Sequence, residues 1–173
     1  QELLREGTWK DDGNTYSLEI FFDVDARYNF EIVYSDLAGN TEGTSIKDEF
    51  CIDKLAPPTD SLKVSYSTSI LDTIIETVTF GFYNAPVTVT IEADDSISGV
   101  DYFTYSYKVS KGESNINKGK SDVVIDDGNI EYSDRGKHAS AKFNIPPQFR
   151  GKVSFTATDR SGNPSEVFED EKV

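Results

Sequence analysis

The side chains in this sequence that could do chemistry are mostly carboxylates. Asp and Glu together number 31 against 17 Lys and Arg, giving a formal net charge of −14. Two acidic pairs stand out, Asp94-Asp95 and Asp126-Asp127, but neighbours on a strand point to opposite faces. Such spacing does not make the paired acids of a glycosidase. His138 is the only histidine and lies beside Lys137 just before an alternating stretch, the position of an exposed surface residue. No Gly-x-Ser-x-Gly elbow, Cys/His pair or zinc-spaced cluster accompanies it, so the expectation is no enzyme. The chemistry left to the acids is the binding of hard cations, which take oxygen ligands, or simple solvation of the surface. The negative balance excludes nucleic acid and anionic membranes as partners, since phosphates need a basic footprint.

The elements that must position these groups are strands. Val87-Val89-Ile91-Ala93, Phe103-Tyr105-Tyr107-Val109, Ala139-Ala141-Phe143-Ile145 and Val153-Phe155-Ala157 each alternate with polar residues. That period of two is the mark of a strand with one face buried. Turn signals separate the strands: Asn84-Ala85-Pro86, Ser98-Gly99, Asp127-Gly128-Asn129, Pro146-Pro147 and Ser161-Gly162-Asn163. Only residues 69–76 offer a weak helical turn. The class is all-β. Cys51, the single cysteine, cannot form an intrachain disulfide, and its setting in Phe50-Cys51-Ile52 predicts a buried thiol. No apolar stretch approaches the roughly 18 residues of a membrane span, so no membrane insertion is expected. The sequence contains no Met and no leader, and reads as an excised piece of a longer protein.

A shift of 123 positions lays residues 9–40 over 132–163 without a gap. Trp9 meets Tyr132, Asp11 meets Asp134, Gly13 meets Gly136, and Arg27 meets Arg150. Asp36, Gly39 and Asn40 meet Asp159, Gly162 and Asn163. The inward alternation matches as well: Tyr16-Leu18-Ile20-Phe22 overlies Ala139-Ala141-Phe143-Ile145, and Phe30-Ile32-Tyr34 overlies Val153-Phe155-Ala157. A repeat of about 120 residues suits an immunoglobulin-type sandwich of about 100. On that reading residues 1–54 hold the C-terminal part of one repeat and its linker, and 55–173 a nearly complete second domain. The prolines of Asp53-Lys54-Leu55-Ala56-Pro57-Pro58 stiffen the joint.

Three motifs in order carry a family resemblance. Asp36-Leu37-Ala38-Gly39-Asn40, with its second copy Asp159-Arg160-Ser161-Gly162-Asn163, resembles the Asp-x-Ala-Gly-Asn signature of bacterial immunoglobulin-like repeats in adhesins and other surface proteins. The segment from Ile52 to Pro57 is similar to the Asp-x-x-Ala-Pro joint between such repeats, and Asp95-Ser96-Ile97-Ser98-Gly99-Val100 to their Asp-x-x-Ser-Gly-Val turn. The resemblance implies Greek-key sandwiches in tandem and an extracellular place on the cell surface or wall. It also implies a spacer role, neighbouring repeats as partners, and calcium near the domain junctions as a candidate cofactor.

In such a sandwich the B–C and F–G loops emerge where strand A enters. With strand B at residues 87–93, C at 102–109 and F at 153–158, Asp94, Asp95 and Asp101 fall in or beside B–C. Asp159 and Asn163 fall in F–G, and Asp53 arrives at the same end. These six residues are the candidate metal ligands. The alternative is structural, with Asp and Asn fixing turns through their own backbone and Gly162 supplying a left-handed residue. The competing function is a carbohydrate- or other ligand-binding sandwich with exposed aromatics, for which Tyr102, Tyr132 and Phe149 are the residues least accounted for by the core. An isopeptide cross-link would need a buried lysine, and Lys108 and Lys142 both fall on outward positions. Host protein and glycan ligand are not specified by the sequence.

Overall fold

A computed structural model describes residues 10–13, 15–32, 38–40, 46–68, 86–109, 119–147 and 151–170. Trp9, Asp36, Leu37, residues 69–76, Asn84, Ala85, Phe149 and Arg150 lie outside the described residues. The chain divides into two units, Gln1–Ile52 and Asp53–Val173, so Asp53 and Lys54 go with the second. Strands dominate both units, all pairings are antiparallel, and no α-helix occurs among the described residues.

In the first unit β1 (Lys10–Asp11) and β2 (Tyr16–Ser17) close a short turn around Gly13, whose φ is +91°. The Asp11 and Asp12 carboxylates each accept a backbone N–H within that turn. β3 (Ala26–Ile32) and β4 (Ile46–Ile52) then pair, with Tyr28 opposite Phe50. Tyr28, Phe30 and Phe50 share one face, and the outer face carries Arg27, Asn29, Glu31, Lys47 and Glu49. Cys51 is exposed, not buried as its neighbours suggested. It alternates with half-buried Phe50 and Ile52, and a period of two sends it to the outer face. The inward strand expected over residues 16–22 is only Tyr16–Ser17, and Tyr16 is 61 % exposed.

The second unit begins with a 3-10 turn (Thr59–Ser61) and runs through eight strands: β5 (Lys63–Thr68), β6 (Val87–Asp94), β7 (Val100–Val109), β8 (Lys120–Ile125), β9 (Ile130–Ser133), β10 (His138–Ile145), β11 (Gly151–Asp159) and β12 (Phe168–Asp170). One sheet has the order β5-β6-β10-β9, the other β12-β11-β7-β8. Alternation works as the sequence indicates. Val89, Ile91, Ala93, Ala139, Ala141 and Phe143 from the first sheet meet Phe103, Tyr105, Tyr107, Val153, Phe155 and Ala157 from the second in one core. The Tyr105 ring stacks on Phe143 across the sheets, centroids 3.8 Å apart. Each large apolar side chain buried this way contributes about 1.5–3 kcal/mol of transfer free energy.

Candidate cation site at one end of the sandwich

Three turns meet at one end of the sandwich: the β6–β7 turn, the β9–β10 turn and the turn that follows β11. Asp95 follows β6 in the parity of Val89, Ile91 and Ala93, so its side chain continues the inward row. Asp159 closes β11 in the inward parity of Phe155 and Ala157 and is 1 % exposed. Asp53 comes from the chain entering the unit, ahead of buried Pro57. A carboxylate oxygen from each of these three residues lies within 4.8 Å of the others. All three are buried: Asp53 is 8 % and Asp95 5 % exposed.

Each acid is held by two backbone N–H donors. Asp53 accepts from Leu55 (3.1 Å) and Ser98 (3.0 Å), and Asp95 Oδ1 from Ile97 (3.1 Å) and Gly99 (2.7 Å). Asp159 Oδ1 accepts from Ser161 (2.9 Å) and Asn163 (2.8 Å). The bonds within one turn are the local Asx pattern that makes Asp and Asn good turn residues. The Ser98–Asp53 bond is different, because it ties the entering chain to the β6–β7 turn. Turn formation alone does not require three acids to converge.

Neighbouring backbone locks the three turns together. Arg160 N–H donates to Gly99 O (2.9 Å), and Asp95 N–H donates to Lys137 O (2.7 Å). Gly99 has a φ of +85°, and a Cβ there would sit 2.5 Å from Gly136 O. The Arg160 guanidinium lies over the Tyr132 ring, 5.5 Å from its centroid, and fills the space a Cβ on Gly136 would need. Sequence patterning misses this clamp. Its only sequence signal is the pairing of Gly136 with Gly13 in the repeat, and both adopt positive φ.

The sequence-derived candidates do not all arrive at the site. Asn163 sits beside Asp53 and Asp159, donating to both residues. Asp94 does not join them. It follows Ala93 onto the exposed side, where its Oδ1 lies 2.7 Å from His138 Nδ1. His138 is therefore half-buried and paired, not the exposed residue its setting suggested. Asp101 is also turned away. The β7–β11 register shifts at Thr158/Asp159 so that Asp159 opposes Val100. This bulge brings Val100 into the core and leaves Asp101 exposed, its carbonyl accepting from Tyr132 Oη. Of the aromatics left open by the sequence, Tyr102 is half-buried and Tyr132 packs on the core. Burial raises the Tyr132 phenol above its ordinary value, with Asp127 adding to the rise. Lys108 and Lys142 are exposed.

The donor set is chemically uniform. Three carboxylates and no His or Cys suit a hard, oxygen-seeking divalent ion and not zinc or copper. Among the described residues no Lys, Arg or His forms an ion pair with any of the three, while the ion pairs formed lie elsewhere. Two ionised carboxylates at such a separation repel by roughly 3–4 kcal/mol at an effective dielectric of about 20. The backbone donors offset part of this, and a divalent cation would offset the rest.

Comparison of the chain with protein-family models, with curated proteins and with solved structures gave no match in any of the three. No helix among the described residues is long and apolar enough to cross a membrane.

Proposed function

We propose that this chain is part of a tandem array of immunoglobulin-like repeats. On this reading it serves as a non-catalytic, extracellular spacer in a bacterial surface protein of the adhesin type, with calcium bound by Asp53, Asp95 and Asp159. The observation that carries the proposal is the convergence of those three buried acids without a basic partner among the described residues. Calcium takes six to eight oxygens, so main-chain carbonyls and water would complete the shell. Such an ion pins the entering segment at Asp53 to two turns of the sandwich it leads into. The ion would reinforce the bonds that already tie Asp53 to Ser98 and Asn163, and holding the entering chain against the fold is how a spacer resists bending.

Two further observations support the repeat architecture. The order β5-β6-β10-β9 beside β12-β11-β7-β8 reads, in immunoglobulin lettering, as A-B-E-D and G-F-C-C′. Both glycine pairs equated by the repeat share a positive φ, +91° and +85° at Gly13 and Gly136, and +85° and +89° at Gly39 and Gly162. The bacterial-surface part of the proposal rests on the motif resemblance.

A thermal melt in excess EGTA, in calcium and in magnesium tests it. Calcium at about 100 times its dissociation constant stabilises by roughly 2.7 kcal/mol, a rise of several degrees, and magnesium gives a smaller one. A melt indifferent to calcium removes the metal and with it the stiffening role.

A further inference from the structure

Among the residues of 10–52 whose side chains are described, none is buried, although their pattern is that of a core face. Phe22 packs edge-on against Tyr28 (centroids 4.9 Å) and Phe50 (5.0 Å), and Tyr28 stacks on Phe50 (5.1 Å). Leu18, Ile20, Phe22 and Phe30 are only half-buried. Under the 123-residue shift they correspond to Ala141, Phe143, Ile145 and Val153, which are 3 %, 8 %, 1 % and 1 % exposed. One of these counterparts is covered from the opposite sheet by an aromatic ring: Tyr105 stacks on Phe143 at 3.8 Å. Tyr105 belongs to β7, in the part of the second unit that precedes the repeated stretch.

We infer that the aromatic face of Phe22, Tyr28, Phe30 and Phe50 is the inner face of a second sandwich, and that its occupant is a strand segment equivalent to residues 55–131. The inference rests on the repeat reading above. The occupant's chemistry follows from the face. It presents alternating aliphatic and aromatic residues, as Val89-Ile91-Ala93 and Phe103-Tyr105-Tyr107 do, and few charges, because Asp48 is the one charged residue that alternation places on the inner face of the β3–β4 pair. A two-stranded ribbon is at best marginally stable in water, so covering it determines whether this unit folds as a cooperative body. The paired order of β3 and β4 repeats that of β11 and β12, one residue out of register, so a covering segment meets a similar backbone frame.

The gapless alignment supplies the test. Residues 55–131 are joined directly ahead of Trp9, with 9–173 otherwise intact, so that the graft meets Trp9 as Glu131 meets Tyr132. Amide exchange over residues 26–32 and 46–52 is expected to slow about 100-fold or more relative to the ungrafted chain, and Tyr105→Asp within the graft alone should abolish the gain. A graft that leaves those amides exchanging as before, while the second unit keeps its own melt, overturns the inference. Should the graft not fold, a peptide of residues 86–109 added at millimolar concentration to the unmodified chain decides, absence of new protection in β3 and β4 overturning it. The calcium response of the second unit is read separately, so failure here is distinguishable from failure of the proposed function.

Discussion

Asn163 Nδ2 donates to Asp159 Oδ2 at 2.8 Å and to the main-chain oxygen of Asp53 at 3.1 Å. One amide thus joins the β11–β12 turn to the chain entering the unit. It also neutralises nothing, so it organises the acids without relieving their repulsion. Asn163→Ala removes both bonds and leaves acceptors in a largely buried site, at a cost of about 1–3 kcal/mol. Urea denaturation in EGTA measures this loss directly. Asn163→Asp adds a fourth carboxylate, so it should be worse than Ala in EGTA and better than Ala in calcium. The same ranking in both buffers would contradict an ion at this place.

Asp95→Asn separates the metal from the turn. Asp95 Oδ1 carries the bonds from Ile97 and Gly99, and an Asn oxygen keeps both. The new amide group removes one negative charge from the cluster and can donate to its acidic neighbours. In EGTA the variant is expected to melt at or above the wild-type temperature, and in calcium it should lose most of the wild-type rise. Differential scanning calorimetry of the two proteins in both buffers provides the comparison. A variant that melts lower in EGTA yet keeps its full calcium response would assign Asp95 to the turn alone.

How much of this was readable in the sequence differs from residue to residue. Alternation placed the core of the second unit, and it carried enough information to separate Asp95 from Asp94, since adjacent strand residues face opposite ways. Asp101 defeats the same rule. Parity with Phe103 and Tyr105 puts it inside, and only the bulge opposite Thr158/Asp159 turns it out. Bulges depend on tertiary pairing and leave little local trace. In the first unit, alternation marks which residues share a face but not how deeply each is buried, and Cys51 shows how an apolar triplet misleads when read without its parity. The Arg160 clamp lay beyond the sequence because it joins residues from three separate turns.

Gly99 should tolerate substitution least of the glycines near the site. Its positive φ already disfavours any side chain, and a Cβ would press on the Gly136 carbonyl. Gly99→Ala is expected to cost more than about 2 kcal/mol. Gly162→Ala meets open space but keeps a φ of +89°, so only backbone strain of about 1 kcal/mol applies. Gly128→Ala meets nothing within 4 Å and has no positive φ, which predicts no loss or a gain of about 0.4–1 kcal/mol. Chemical denaturation of the three variants tests the order, and a Gly99→Ala protein as stable as Gly128→Ala would mean the three turns are not packed as described.

Alkaline pH probes the core from another direction. Burial raises the Tyr105 phenol above its ordinary value of 10.0, and neighbouring Tyr107, itself raised by burial, adds to the effect. The unfolded chain ionises near pH 10, so it releases this proton before the folded one does. Stability from Tyr105 is therefore complete below about pH 10 and is lost as pH rises toward the folded value. The loss approaches 1.4 kcal/mol per pH unit for one such group. Tyr105→Phe keeps the ring that stacks on Phe143 and removes the proton. Urea midpoints from pH 8 to 11 should fall less steeply for this variant than for wild type, and parallel curves would mean that Tyr105 ionises within the fold as freely as outside it.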